Sequence, residues 1–279
     1  MSGELNPTTT KATINYSSPP PDGVRPYYNA NPKKGEPERN FEDIGKDVLI
    51  ENVRGKEESV TLDTAGFQFF NSPAKHTSFT DDAEIEREYY PESIELIKKL
   101  TSASRVVLFD HTVRRRQPGV DGRDPKLRQP AATAHIDQST AASIARVHRH
   151  LPPSDVPSLL KRRFQIVNLW RPISHIALDW PLALCDYRSV DNKNDILPIA
   201  LIYPDREGEI MGVKYNPDHK WKYLRGMTPD EVVLIKCFDS IQDGSVAVFT
   251  PHTAFQDPST PPDAPLRESI ELRALVFYD

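Results

Sequence analysis

The sequence predicts a mainly β protein with flanking helices around a double-stranded β-helix, or jelly-roll, core. Three observations predict it. Residues 164–170, 183–190, 196–203, 209–215, 232–239, 245–250 and 268–278 have strand character and are bounded by Gly, Pro, Asn and Asp clusters. Short strands at that spacing belong to a sandwich or barrel. Helical periodicity is confined to about 81–100 and 139–163, which places the helices outside the sheets. A chain of 279 residues with 38% hydrophobic side chains can bury one sizeable core and suits one elaborated domain better than two.

The elements follow in order. Residues 1–40 carry Pro19-Pro20-Pro21 and few apolar positions, and read as an extended N-terminal arm that wraps the domain or stays mobile. A single domain then runs over 41–279. Residues 47–53 and 58–62 have short strand character. The helical pattern at 81–100 contains Pro91, which lacks the N–H of a helix interior and predicts a split into two pieces. A β-branched run predicts a strand at 105–114, and a Gly/Pro/Asp-rich loop follows at 117–130. An extended stretch at 131–137 leads into a helix at 139–150, capped by Ser139 or Thr140, and a second helix is expected at 156–163.

Composition excludes some partners. The net charge of -5 opposes binding to nucleic acid or to an anionic membrane, both of which need a basic field. The run Arg114-Arg115-Arg116 reads as solvated surface, or as part of a site for a small anion. Two cysteines, Cys185 and Cys237, each within an apolar stretch, predict buried reduced thiols rather than a disulfide framework. The first 26 residues have no apolar leader segment, and no apolar run approaches the roughly 18–20 residues that span a bilayer. The expected compartment is the cytoplasm. The oligomeric state stays open, a homo-oligomer included.

Chemistry enters at His135-Ile136-Asp137. Residues two apart in an extended segment share a face, so an imidazole and a carboxylate project together. They form two of the three ligands of the facial triad that leaves open positions on Fe(II). Alone the pattern is weak, because a bare His-x-Asp occurs often by chance and a His–Asp hydrogen bond at the start of a helix is the plainer reading. A third ligand must come from a distant strand. Of the eight histidines, His148 and His150 fall in a helix C-terminal turn, where the dipole favours a cation. His76 sits in a polar loop, and His111 and His175 lie at strand ends without a fitting partner. His219 competes. His252 is better placed, after the strand at 245–250 and before Thr253-Ala254.

Downstream, Arg267 and Ser269 share a strand face, where a guanidinium and a hydroxyl can hold one carboxylate. His-x-Asp, a distal His and then Arg-x-Ser is the order of groups that an iron site using 2-oxoglutarate needs. The cosubstrate chelates the metal at one end and pairs with the arginine at the other. Arg273 has the same parity and is the alternative anchor. Asn168 and Trp170 share a face of their strand, and either contact the cosubstrate or pack in the core. Phe109, Tyr215 and Trp221 are candidates for shaping an apolar substrate pocket, with ordinary core as the plainer reading.

The stretches HIDQS at 135–139, NLWRP at 168–172, WPLALCD at 180–186, Asp239-Ser240, PHTAF at 251–255 and RESIELRALV at 267–276 resemble the AsaB-like family. This is also called the CmcJ/NvfI or hydroxylase/desaturase family of mostly fungal secondary-metabolism enzymes. The resemblance runs from about Tyr27 to the end. It implies Fe(II) as metal, 2-oxoglutarate as cosubstrate, O2 and a small-molecule metabolite as substrates, and a jelly-roll core. It carries over His135 and Asp137 from the family's HxD motif, His252 from its PHTAF-like segment, and Arg267 and Ser269 from its RESIE-like segment. Family reactions include hydroxylation, desaturation, ring formation and peroxidation, so the outcome on substrate stays open. Two rivals remain on the residues alone: a cupin-like iron enzyme that uses no 2-oxoglutarate, and a non-catalytic jelly-roll binding module. A methyltransferase, a label some members carry, finds no Gly-rich nucleotide loop here.

Overall fold

The computed structural model describes residues 7–120 and 128–278, so the loop expected at 117–130 lies partly outside the described residues. In chain order the strands are β1 (Thr9–Ser18), β2 (Tyr27–Asn29), β3 (Glu42–Asn52), β4 (Phe67–Asn71), β5 (Arg105–Arg115), β6 (His135–Ile136), β7 (Phe164–Pro172), β8 (Leu182–Cys185), β9 (Ile196–Ile202), β10 (Glu207–Val213), β11 (Trp221–Tyr223), β12 (Glu231–Asp239), β13 (His252–Ala254) and β14 (Glu268–Phe277). They form a five-stranded sheet in the order β4-β12-β7-β14-β5 and a nine-stranded sheet in the order β1-β3-β11-β8-β13-β6-β10-β9-β2. Every pairing is antiparallel except β3 with β11 and β2 with β9. The mainly β architecture that the strand spacing predicts is the one observed.

Strand β7 lies at the centre of the smaller sheet, and all of its residues are buried. A strand covered on both faces loses polar alternation, which is why this run reads as continuously apolar around Asn168. Its outer face, Val167 and Leu169 with Leu234, Ile270 and Leu272, packs against Ile85, Tyr89 and Ile97 of a helix. The inner face, Trp170 with Val233 and Ile235, meets Leu182 and Leu184 of the larger sheet. The period of two therefore turns Asn168, Trp170, Ser269, Glu271 and Arg273 toward the space between the sheets.

The covering helix has three segments, α1 (Asp82–Glu84), a π-turn (Ile85–Tyr89) and α2 (Tyr90–Thr101). Asp81 caps it by accepting from the Glu84 amide at 2.7 Å. The expected split at Pro91 does not occur. The Tyr90 amide instead reaches the Ile85 carbonyl, one residue beyond the α-helical partner, so the helix absorbs the missing proline donor as a π-turn. It ends at Ser102, which is left-handed at φ 58°. Helix α3 (Thr140–His150) starts at Ser139, whose hydroxyl accepts from the Ala142 amide at 3.2 Å. The helix expected at 156–163 is only α4 (Val156–Leu159). No helix among the described residues is long and apolar enough to cross a membrane.

Several expectations need correction. Of the two readings of 1–40, an arm that wraps the domain or one that stays mobile, the described part takes the first and goes further: β1 pairs with β3 along its whole length, and Ala12, Ile14 and Tyr16 are buried. Three apolar residues at period two suffice to seat it, a signal masked by polar neighbours. Residues 57–59 form a 3-10 turn rather than part of a strand. The strand expected at 183–190 stops at Cys185, because Asp186 accepts from the Arg188 amide and opens another 3-10 turn. No strand forms at 245–250, because that segment bonds to a loop. The Ala247 amide donates to the Asp63 carbonyl at 2.8 Å and the Thr250 hydroxyl to the Gly66 carbonyl at 2.6 Å. Gly66 (φ 90°) is required for this approach, since a Cβ there would lie 2.4 Å from the Thr250 hydroxyl.

Asp239 and Ser240 have a structural role at the end of β12. Buried Asp239 accepts from Arg163, Gln165 and the fully buried Lys236, each at 2.7–2.8 Å, while the Ser240 hydroxyl accepts from the Phe164 amide at 2.9 Å. Both tie β12 to the start of β7.

Candidate active site

Two short strands of the larger sheet position the site. His135 of β6 and His252 of β13 are antiparallel partners, with ring centroids 4.5 Å apart. Asp137 follows on the same face as His135, its Oδ1 3.5 Å from the His135 Nε2. One ligand atom from each of His135, Asp137 and His252 lies within 4.8 Å of the others. In both imidazoles Nδ1 faces the carbonyl two residues upstream, Thr133 at 2.8 Å and Thr250 at 3.0 Å. A carbonyl only accepts, so Nδ1 carries the proton and each Nε2 keeps its lone pair for a ligand.

Asp137 is held from the smaller sheet. The Asn168 amide donates to its Oδ2 at 2.6 Å, the Arg273 Nε stands 3.6 Å away and the Cys237 thiol 3.8 Å. Cys237 reaches in because β12 bulges between Lys236 and Phe238. Burial favours a neutral Asp137, but Arg273 and the two histidines outweigh it and hold the carboxyl well below its usual range. Burial, then His135, pushes His252 down; burial also opposes charge on His135, but its bond to Asp137 wins and raises it. Two imidazole nitrogens and one ionised carboxylate oxygen converging on one face fit a ferrous ion with open positions.

Beyond the histidines lies a small cavity bordered by Arg114, Trp170, Leu182, Arg267 and Glu271, with about 20 Å³ of free space. Arg267 is 3% exposed. Its Nε donates to the Ser269 hydroxyl at 3.3 Å, its Nη1 donates to the Trp180 carbonyl at 2.7 Å, and the guanidinium lies 5.2 Å over the Trp170 ring. Trp180 adopts φ 45°, a left-handed strain rare for a large side chain, and its carbonyl meets the arginine. Among the described residues Arg267 has no carboxylate within ion-pair distance, and its Nη2 has no hydrogen-bond partner. Burial, then Arg114, lowers its pKa to about 9, which leaves it protonated at neutral pH. Burying an unpaired guanidinium is costly, and a bound anion would offset that cost.

Arg273 differs. It faces Asp110 at 3.2 Å, Glu271 at 3.4 Å and Asp137 at 3.6 Å, so its charge is already balanced by protein carboxylates. Asn168 is engaged by Asp137 rather than by the cavity beside Arg267. Sequence reasoning missed Glu271, and left Arg114 open between solvated surface and part of a small-anion site. The basic run alternates: Arg114 points inward and bonds the Gln129 carbonyl at 2.8 Å, Arg115 meets Glu268 and Arg116 meets Asp179. Strand period was the available signal, but which parity faces inward depends on the pairing with β14. The competing His219 is buried away from the site against Asp195 at 2.9 Å. Trp221 donates to the Tyr16 hydroxyl at 2.7 Å in an outer core, Tyr215 is exposed, and Phe109 stacks on His150.

Asn168→Ala is expected to weaken Fe(II) binding roughly 10- to 100-fold, as loss of an outer-shell partner typically does. An anaerobic Fe(II) titration measures it, and unchanged affinity would remove Asn168 from the site.

Comparisons with known proteins agree with this geometry. A family model described as "Oxidoreductase/YMDC permease-like domain" matches residues 14–277. Hydroxylase/desaturase efuI of Hormonema carpetanum is 33% identical, over 100% of this chain and 98% of that protein. The Fe(II)/2-oxoglutarate-dependent dioxygenase nvfI of Aspergillus novofumigatus is 35% identical, over 90% of each. A solved structure of the iron and alpha-ketoglutarate-dependent endoperoxidase NvfI superposes with a TM-score of 0.86 at 30% identity, covering 98% of this chain and 99% of that one. With its triad, its jelly-roll sheets and relatives matched along nearly its whole length, the chain belongs to the AsaB-like hydroxylase/desaturase family of fungal Fe(II)/2-oxoglutarate-dependent oxygenases.

Proposed function

We propose that the protein is an Fe(II)- and 2-oxoglutarate-dependent oxygenase that oxidises a C–H bond of a small secondary metabolite with O2. His135, Asp137 and His252 hold the iron, and Arg267, seated by Ser269, anchors the cosubstrate carboxylate. One observation carries this reading: a half-buried His-Asp-His cluster opens onto a cavity that ends in a buried arginine with no carboxylate at ion-pair distance among the described residues. When bound, Fe(II) with 2-oxoglutarate supplies the O2-activating oxidation chemistry.

The chain's own residues do the rest. The Thr133 and Thr250 carbonyls fix both imidazole tautomers, and Asn168 fixes the Asp137 carboxylate. Arg114 and Arg267 put two positive charges at the far end of the cavity, while Trp170 and Leu182 exclude water beside them. The present free space holds about one water, so the cavity walls move apart when 2-oxoglutarate enters. An iron enzyme without this cosubstrate leaves the unpaired Arg267 without a purpose, and a purely structural His–Asp contact leaves His252 unexplained.

Supporting one catalytic domain, β1 is an integral strand of the larger sheet. The net charge of -5 supports the absence of a nucleic-acid partner, and the buried free thiols Cys185 and Cys237 support a reducing, cytoplasmic setting.

The test is anaerobic addition of 2-oxoglutarate to the Fe(II)-loaded chain. The expected result is a weak visible charge-transfer band, followed in air by succinate formation that a matching metabolite stimulates. Absence of both band and succinate would sink the reading.

A further inference from the structure

We propose that the substrate is an anionic metabolite whose carboxylate is held by Arg146 and Arg149 of α3, with the carbon to be oxidised lying toward Asp137. This rests on the oxygenase reading and names its substrate class. A second cavity, of about 580 Å³, adjoins Asp137 between α3 and the β9–β10 hairpin. That volume suits a drug-sized metabolite. Ala141, Ala142 and Ala145 line the helix side, and their small side chains leave the space open. Arg146 and Arg149, three residues apart, project from the same helix face into it.

The charges around this cavity do not cancel. On the opposite wall, Glu207 and Glu209 are both taken by Arg25, at 2.7 and 3.2 Å. At the inner end, Asp137 is held by Asn168 and Arg273. Among the described residues neither Arg146 nor Arg149 has an ion-pair or hydrogen-bond partner. Arg146 is half-buried and rests 5.0 Å over the Phe109 ring, which orients its donors before a ligand arrives. Phe109 is the residue skipped where β5 and β14 shift register, so a bulge beside the site provides this platform. Burial lowers the pKa of Arg146; Asp110 opposes this, and Arg149 and Arg273 add to it, as for a cation short of counter-charge.

The helix dipole explains a cation in the last turn, where Arg149 stands, but not the half-buried Arg146 a turn earlier. Two guanidinium forks facing one cavity match a carboxylate bidentately. Arg146 is six residues into α3, so the helix rise places its backbone roughly 9 Å along the axis from Thr140, the end of the helix nearer Asp137.

The test uses the full chain loaded with Fe(II) and saturating 2-oxoglutarate under nitrogen. Calorimetry compares 4-phenylbutyrate with its uncharged amide, 4-phenylbutyramide. The carboxylate is expected to bind at least about tenfold tighter, as charge-assisted hydrogen bonds from the half-buried Arg146 and the exposed Arg149 imply. In R146Q/R149Q the two probes should agree within about twofold, with R149Q alone intermediate and R87Q, on a different helix, like wild type. Equal binding of the two probes to wild type overturns the proposal, as do failure of both to bind and a preference that survives R146Q/R149Q. The charge-transfer band is read in the same samples. Its absence strikes the oxygenase reading, while the charge preference can still be measured on the metal-free chain.

Discussion

Replacing His252 with alanine is expected to abolish iron retention and 2-oxoglutarate turnover in a chain that still folds. The residue supplies one of three converging ligand atoms, and its 4% exposure means that no neighbour or solvent shell can take over. Losing an outer-shell partner costs 10–100-fold in affinity, so loss of a direct ligand should cost at least about 10³-fold. The cross-strand pairing of β13 with β6 and β8 runs through the backbone and survives the change. Iron content after anaerobic reconstitution, followed by an Fe(II) titration, reads the effect. His219→Ala is the control: its imidazole is tied to Asp195 away from the cluster, so that variant should keep its iron. Stoichiometric iron at wild-type affinity in H252A would end the assignment of this residue as a ligand.

Arg267→Ala should leave iron binding intact and raise the 2-oxoglutarate concentration needed for the charge-transfer band by about 10²–10³-fold. Truncating one member of a buried charge-assisted pair costs roughly 2–5 kcal/mol, which brackets that range. Without cosubstrate the variant should be no less stable than wild type, because it removes a buried cation that meets no carboxylate at ion-pair distance among the described residues. Arg273→Ala should behave differently. It leaves Asp110, Asp137 and Glu271 facing one another without their shared cation, so stability and iron affinity fall together. Wild-type cosubstrate affinity in R267A would overturn the anchor assignment.

Much of the fold was legible because its signals are local. Apolar and β-branched runs mark β7, β12 and β14, and Ser139 announces α3 through a cap that needs only the next turn. Where local signals conflict, reading failed. Polar residues in β1 hid the period-two set Ala12, Ile14 and Tyr16, and Pro91 promised a break that a π-turn absorbed. At 245–250 the apolar run is real, but the neighbouring backbone it meets belongs to the loop at Gly66 rather than to a strand.

For the site, the sequence by itself determined the chemical inventory and its parity. It contains an imidazole and a carboxylate two residues apart, a later histidine, and an arginine and serine that share a face. Side-chain type and strand period travel with the chain, so these can be read without a fold. Only tertiary structure decided that His252 lies across from His135, that Arg273 is balanced by three carboxylates while Arg267 has none at ion-pair distance among the described residues, and that Arg114 alone of its run turns into the cavity. Those outcomes depend on register between distant strands, and a slip of one residue would send every one of these side chains to the opposite face.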